Sequence, residues 1–230
     1  ISDDDEICDG AIKIISKKIK KNNHAGYLKF STEGSGIVGL ERNKEVNSLE
    51  EFIAYYSSDK LIRRGNAIFI SNGIFNLEHL QPFLGYGFEY SYTYVSYLIP
   101  VLLSLNNNIP VVFSEEKIVF YHNPGDEQWP FDKVALGLST LSHLPLDLEK
   151  HFFKKLLDIF MIVKFQVLFF YLLKNKTDNA ARVYNLIHNN IYKFHLTRTK
   201  RFISYFLSVL LNYPWITNIL FKNYIKRKSN

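Results

Sequence analysis

The residues with the clearest capacity for chemistry are the acids at the start of the chain. Asp3, Asp4, Asp5 and Glu6 follow one another, and a pattern typical of an amphipathic helix begins directly after them. Carboxylate oxygens are the hard ligands that Mg²⁺ or Mn²⁺ prefers, and a metal held there could bridge a diphosphate. The same acids could instead only place negative charge at the start of a helix, which the helix dipole favours. On residue types alone, both interpretations stay open.

The elements that must position these acids form a series of short helices and strands. We expect an α/β fold with a mixed sheet in residues 1–145 and a mainly helical, basic region in residues 146–230. The helix at 48–57 has Ser48 and Glu51 spaced as in a capping box. Strands are predicted at 27–30, 67–71, 111–113 and 118–121, helices at 9–21, 77–84 and 92–105, and a turn at 85–87.

Four segments resemble, in order and spacing, the family 2 glycosyltransferases with the GT-A fold. Ser2 to Asp5, followed by Gly10-Ala11-Ile12, is similar to the DXD motif and the next helix of that family. Residues 66–76 are similar to the strand and turn after the acceptor loop of bacterial O-antigen and capsule sugar transferases. Residues 109–113 and 118–121 are similar to the late strand pair of those enzymes.

The resemblance implies an inverting, metal-dependent transfer of a sugar from a nucleotide-sugar donor to a lipid-linked or polysaccharide acceptor. Such reactions build lipopolysaccharide and other cell-surface glycans. It implies that Asp5 is the direct ligand of Mg²⁺ or Mn²⁺, with Asp3 as a second ligand, and that both serve the donor diphosphate. His122 would be a further diphosphate contact, and Glu89 would be the general base by its position; each could also be an ordinary exposed side chain.

The position of the acidic run suggests that part of the catalytic domain is missing. In the family that it resembles, the DXD motif follows a long nucleotide-binding segment, whereas here it opens the chain. We therefore expect residues 1–145 to be a GT-A-like portion truncated at its N-terminus. The alternative is a catalytically incomplete, membrane-associated fragment or interaction module.

Composition limits the class of protein. Hydrophobic residues make up 47% and aromatic residues 16% of the 230 positions, which excludes a disordered chain. Cys8 is the one cysteine, so an internal disulfide and a cysteine zinc site are excluded, and we expect a packed thiol. Residues 1–150 carry 14 Lys and Arg against 20 Asp and Glu, whereas residues 151–230 carry 14 against 2.

The basic C-terminal region contains long apolar runs. Residues 156–173 are almost wholly apolar, and residues 202–221 carry no charge. Three interpretations remain: helices on an anionic membrane surface, a packed helical bundle, or a membrane-spanning helix. We favour the first because Tyr213 and Trp215 lie centrally in the run, where an interfacial aromatic belt would not place them. A peripheral location at the cytoplasmic face of the inner membrane follows, and no nucleic-acid motif accompanies the basic charge.

Overall fold

The structure is a computed structural model, and its described residues form two compact units. It describes residues 5–34, 40–57, 66–67, 69–91, 95–122, 137, 139–159, 165–174, 180–213, 215–216 and 219. The first unit holds the five described strands and the helices up to residue 106, together with the helix that ends at residue 159. The second unit holds a short 3₁₀ turn, Leu141–His143, and the helices from residue 165 onward. The expected mixed α/β class is confirmed.

The regular elements are short. The strands are β1 (Asp5–Ile7), β2 (Tyr27–Gly34), β3 (Lys44–Val46), β4 (Gly73–Phe75) and β5 (Val111–Tyr121). The helices are α1 (Ala11–Lys21), α2 (Leu49–Ser57), α3 (Leu77–Leu80), α4 (Leu84–Glu89), α5 (Leu98–Asn106), α6 (Lys150–Ile159), α7 (Phe165–Lys174), α8 (Ala180–Ile187), α9 (Lys193–His195) and α10 (Arg198–Leu210). A 3₁₀ turn, Gln81–Phe83, joins α3 to α4, and a π-helical turn, His188–Tyr192, joins α8 to α9.

The sheet is organised around β5, its longest strand. One edge of β5 pairs in parallel with β2, which in turn pairs antiparallel with β4. The other edge pairs antiparallel with β3 near Val111 and with β1 near Tyr121. In that register Asp5 lies opposite Tyr121. The first acid of the described chain is therefore held at the end of the central strand.

Helix α1 covers this part of the sheet with its apolar face. Ala11 is buried with Leu28, Phe30 and Val119 in one cluster, and Ile15 packs against it half-buried. The lysines of α1 gather in its last turn, where they complement the helix dipole. Cys8 also packs against this cluster, and burial raises the pKa of its thiol, so the expected packed thiol is confirmed.

The predicted N-terminal signal of α2 is also confirmed. The backbone N–H of Glu51 donates to the Ser48 hydroxyl at 3.2 Å, and the Glu51 carboxylate accepts from the Asn47 N–H at 2.8 Å. The buried residues of α2 include Phe52 and Tyr56, one turn apart on the same face.

Two strand predictions are wrong. Residues 111–113 and 118–121 are not a pair but the two ends of the continuous strand β5. The strand continues through the polar segment because β2 pairs on both sides of it, with Phe30 opposite Ser114 and Ser31 opposite Lys117, and a register shift near Ser31 accommodates the residues between. Residues 67–71 are not a strand: Asn66 and Ala67 are helical, Ser71 lies in a turn, and the strand is β4.

Two helix boundaries also differ from the prediction. The glycines at 85 and 87 lie inside α4 and not in a turn. The helix expected from residue 92 begins at Leu98, so Pro100 falls in the first turn of α5. Proline is tolerated there because the first backbone N–H groups of a helix have no intrahelical acceptor.

Replacing Gly34 with alanine should lower the free energy of unfolding by about 2 to 3 kcal/mol. Gly34 ends β2 at φ 146°, and an added Cβ would fall inside the van der Waals radius of the Tyr121 carbonyl oxygen. Urea unfolding followed by circular dichroism measures the change. Gly85→Ala is the matched control, because Gly85 lies in α4 with open space at its Cβ and alanine favours a helix. If both substitutions lowered the free energy of unfolding equally, a Cβ at position 34 would not cause the expected strain.

The second unit is helical throughout its described part. Its core is built from apolar and aromatic side chains of α7, α8 and the π-helical turn, including Phe169, Tyr184 and Tyr192, each less than 2% exposed. The rings of Phe169 and Tyr184 meet edge to face with centroids 6.2 Å apart. Within the described residues, no helix combines the length and the apolar character needed to cross a membrane.

Candidate functional site

Asp5 lies at a corner of the sheet where three distant segments meet. It opens β1 and faces Tyr121 across the antiparallel pair. Its Oδ2 accepts a hydrogen bond of 2.5 Å from the hydroxyl of Ser71, which is buried in the turn before β4. The acidic run, the turn before β4 and the end of β5 therefore converge on one half-buried carboxylate.

His122 follows β5 directly and contacts side chains of β1 and β5. Its Nε2 lies 3.3 Å from Oε2 of Glu6, and its ring lies 4.9 Å from the ring of Phe120. Both partners of the ion pair are largely exposed, so water screens their attraction. His122 therefore lies with Glu6 and Phe120, on the face of the sheet edge opposite to the one on which Asp5 meets Ser71.

The structure describes one of the other two predicted site residues, Glu89. Asp3 lies outside the described residues. Glu89 is the last residue of α4 and is exposed, whereas the sequence led us to expect it just before a helix. Within the described part of the chain, no hydrogen bond or ion pair ties Glu89 to Asp5. Of the predicted site residues that the structure describes, Asp5 alone has its side chain at this corner.

The donor atoms at this corner fit a divalent metal that is shared with a substrate. Among the described residues, no three His, Cys, Asp or Glu side chains come together as a metal-binding group. Mg²⁺, however, is commonly held by one or two carboxylates while phosphate oxygens and waters complete its octahedron. A carboxylate has about four lone-pair sites, so the hydrogen bond from Ser71 is compatible with metal coordination by Asp5.

A buried polar network lies behind the Asp5 corner, with Glu41 as its main acceptor. Glu41 is 4% exposed. Its carboxylate accepts hydrogen bonds from the hydroxyls of Tyr55 and Tyr56, at 2.5 and 3.0 Å, and from the amide of Asn66 at 2.5 Å. Its backbone N–H donates to the hydroxyl of Ser31 in β2 at 2.7 Å. Four separate donors and acceptors thus hold this residue in the core.

The same network fixes the turn that carries Ser71. The ammonium of Lys29, in β2, donates to the Phe69 carbonyl. The amide of Asn72 donates to the Thr32 hydroxyl at 2.8 Å and to Asn66 Oδ1 at 2.6 Å. These contacts tie both ends of the turn to β2, so Ser71 is presented to Asp5 by buried hydrogen bonds that leave it little freedom.

Burial changes the acidity of the two charged members of the network. Burial lowers the pKa of Lys29 to about 7, and the nearby Glu41 carboxylate opposes that shift. Burial also raises the pKa of Glu41, against the hydrogen bonds from Tyr55 and Asn66 and the charge of Lys29. Burial thus disfavours the charged form of both side chains.

The stability of the protein should rise with pH above neutrality because of Lys29. The native Lys29 releases its proton near pH 7, whereas the unfolded side chain keeps it up to 10.5. Between those values the unfolded chain binds more protons, so the free energy of unfolding increases with pH, by up to about 1.4 kcal/mol per unit. Glu41 acts in the opposite sense, from 4.5 up to its raised native pKa.

Urea unfolding at pH 7.5, 8.5 and 9.5 measures this slope. Lys29→Met should remove the greater part of it, because methionine keeps the length of the side chain without a titrating group. Lys44→Met, at an exposed position in β3, is the matched control and should keep the wild-type slope. If Lys29→Met kept the wild-type slope, the pKa of Lys29 would not differ between the native and unfolded states.

Sequence analysis missed Ser71, Lys29 and Glu41. Lys29 carries a usable signal, because it is a charged residue inside an apolar strand pattern and must find a buried partner. Glu41 has no such signal, since its partners Tyr55 and Asn66 lie 14 and 25 residues away. Ser71 belongs to a segment that was predicted to be a strand, which hid its place in a turn.

Comparison of the chain with protein-family models, with curated proteins and with solved structures gives no match in any of the three. Function must therefore be inferred from the chemistry of the residues themselves and from the resemblance of the segments described above.

Proposed function

We propose that the first unit is the donor-binding part of an inverting, metal-dependent glycosyltransferase. It would move a sugar from a nucleotide-sugar donor to a lipid-linked or polysaccharide acceptor. The observation that carries the proposal is the meeting of Asp5, Ser71 and the end of β5 at one corner of the sheet. These three parts of the chain are also the ones on which the resemblance to family 2 glycosyltransferases rests.

In this proposal the chain's own residues prepare a place for the donor diphosphate. Asp5 supplies a hard oxygen ligand whose orientation is set by the hydroxyl of Ser71. Asp3 would add a second carboxylate. A bound Mg²⁺ or Mn²⁺ would supply positive charge for the departing nucleoside diphosphate. His122 has no part in this proposal, because its ring faces Glu6 on the other side of the sheet edge.

Glu89 is proposed as the base that accepts the proton of the acceptor hydroxyl. Its carboxylate is exposed at the end of α4. Because this carboxylate is open to solvent, an acceptor that covered Glu89 would bring its hydroxyl within reach. The acceptor would thus complete the site that it uses.

An assay of nucleotide release from nucleotide sugars tests the proposal. Purified protein is incubated with UDP-, GDP- and CDP-sugars, a membrane lipid and polysaccharide extract as the acceptor source, and Mn²⁺, with and without EDTA, and free nucleotide is measured. We expect release from one nucleotide class, loss of that release with EDTA, and a lower rate in Glu89→Gln. Glu78→Gln, another exposed acid in a neighbouring helix, should keep the wild-type rate.

Two results would contradict the proposal. The first is a folded protein that releases no nucleotide from any donor, which is the behaviour of a catalytically incomplete fragment. The second is nucleotide release that EDTA leaves unchanged, which would show that the reaction needs no metal.

A further inference from the structure

Helix α10 exposes aromatic side chains and buries small polar ones, which is the reverse of an ordinary surface helix. Phe202 is 71% exposed and Phe206 is 54% exposed, whereas Ser204 and Ser208 are 0% and 2% exposed. An amphipathic helix of a water-soluble domain normally turns its apolar stripe to the core and its polar stripe to water. Here the small polar side chains face the protein and the aromatic side chains face outward.

Buried hydrogen bonds hold the helix in this orientation. The hydroxyl of Ser204 lies 2.9 Å from Nδ1 of His188 and 3.2 Å from the hydroxyl of Tyr184. The buried hydroxyl of Ser208 is satisfied within α10 itself, where it donates to the Tyr205 carbonyl at 2.7 Å. Rotating the helix to bury its aromatic side chains would leave His188 and Tyr184 without these partners inside the unit, which is costly. The outward aromatic face is therefore a stable feature of the fold.

The outward side chains form one continuous face. Phe202, Tyr205, Phe206 and Val209 follow the spacing i, i+3, i+4, i+7 that places residues on a single side of a helix. Beyond the helix two more apolar side chains are exposed, Trp215 at 67% and Ile219 at 54%. Contiguous exposed apolar surface of this kind marks an interaction site.

The charge around this face indicates the occupant. Arg198 and Lys200 are exposed in the first turn of α10, and the chain has no Asp or Glu after Asp178. The sequence that follows adds four more cations, Lys222, Lys226, Arg227 and Lys228. A second copy of this region would bring like charges together, whereas an anionic surface is complementary to it. Exposed aromatic side chains beside Lys and Arg are the combination that lies in the headgroup layer of a bilayer.

We propose that the outward face of α10 docks on an anionic phospholipid surface, with the helix lying in the plane of the membrane. Phe202 and Phe206 enter the boundary between headgroups and acyl chains. Arg198 and Lys200 contact lipid phosphates. This surface belongs to the second unit, and its function does not depend on the proposed transferase activity of the first.

Sedimentation with vesicles tests the docking surface. The full chain is mixed with vesicles of phosphatidylcholine alone or of phosphatidylcholine with phosphatidylglycerol, and the bound fraction is measured at low and high salt. We expect binding to the mixed vesicles that weakens as salt increases. Phe202→Ser/Phe206→Ser should bind about 100-fold more weakly, since each buried Phe contributes about tenfold.

Matched variants separate the aromatic and the electrostatic parts. Tyr86→Ser/Phe88→Ser removes two exposed aromatic side chains from α4 and should bind as the wild type does. Arg198→Gln/Lys200→Gln should weaken binding about fivefold for each charge removed. Circular dichroism confirms that each variant is folded, which is expected because all six side chains are exposed.

Three outcomes would overturn the proposal. One is equal binding by Phe202→Ser/Phe206→Ser and the wild type. Another is equal affinity for the neutral and the anionic vesicles. The third is the absence of vesicle binding together with a concentration-dependent oligomer that Phe202→Ser/Phe206→Ser abolishes, which would assign the face to contact between copies of this chain.

Discussion

Replacing Glu41 with alanine should lower the free energy of unfolding by about 3 to 5 kcal/mol, the range for breaking a buried charge network by removing one partner. The substitution removes the acceptor of Tyr55, Tyr56 and Asn66 at once, and it leaves Lys29 buried without its carboxylate. Buried donors without acceptors lose their interaction with water and gain nothing in return. Urea unfolding at pH 7, followed by circular dichroism, measures the loss.

Glu45→Ala is the control for this substitution. Glu45 is also a glutamate on the first unit, but it is exposed and its carboxylate lies 3.1 Å from His24 at the surface. Exposed ion pairs of this kind contribute at most about 1 kcal/mol. If Glu41→Ala were no more damaging than Glu45→Ala, the buried network would not be an important source of stability.

Asp5→Asn should reduce metal-dependent nucleotide release at least about 100-fold, because it removes the charged metal ligand of the proposed site. Asparagine has nearly the same shape and can still accept the hydrogen bond from Ser71, so the local fold should persist. Ser71→Ala should have a smaller effect, about tenfold, because it loosens the carboxylate without removing it. Rates under saturating Mn²⁺ measure both effects.

Glu6→Gln is the matched control, since Glu6 is the next residue on β1 and alternate residues of a strand point to opposite faces. It pairs with exposed His122 and should change the rate little. Equal losses in Glu6→Gln and Asp5→Asn would mean that general negative charge at this edge matters and that no specific ligand is present.

Local patterns predicted the elements that local forces determine. Helix α1 was predicted from its apolar spacing, and α2 was predicted from its capping residues. Strand β5 was predicted in two pieces because a polar segment normally signals a turn. It remains one strand because β2, more than 80 residues earlier, supplies its partner, with Ser31 near Ser114 at 83 residues' separation. Pairing between strands so far apart in the sequence gives no signal in the local residue pattern.

In the candidate site, too, local patterns predicted residues but not the contacts between distant segments. The type and clustering of the acids pointed to Asp5, and the family resemblance pointed to His122. The place of Asp5 depends on the pairing of β1 with the far end of β5, and its support from Ser71 depends on a turn 66 residues away. The Lys29 and Glu41 network is invisible to any spacing rule, because its members come from β2, α2 and two separate connecting segments.

The most direct test of the transferase account is a calorimetric titration of UDP, GDP, CDP and their sugar conjugates into the protein with Mn²⁺ present. Asp5→Asn and a metal-free sample run in parallel. The account predicts that one nucleotide class binds, that binding requires the metal, and that Asp5→Asn abolishes it. A folded wild-type protein that binds no nucleotide, or an Asp5→Asn variant that binds as tightly as the wild type, would contradict it.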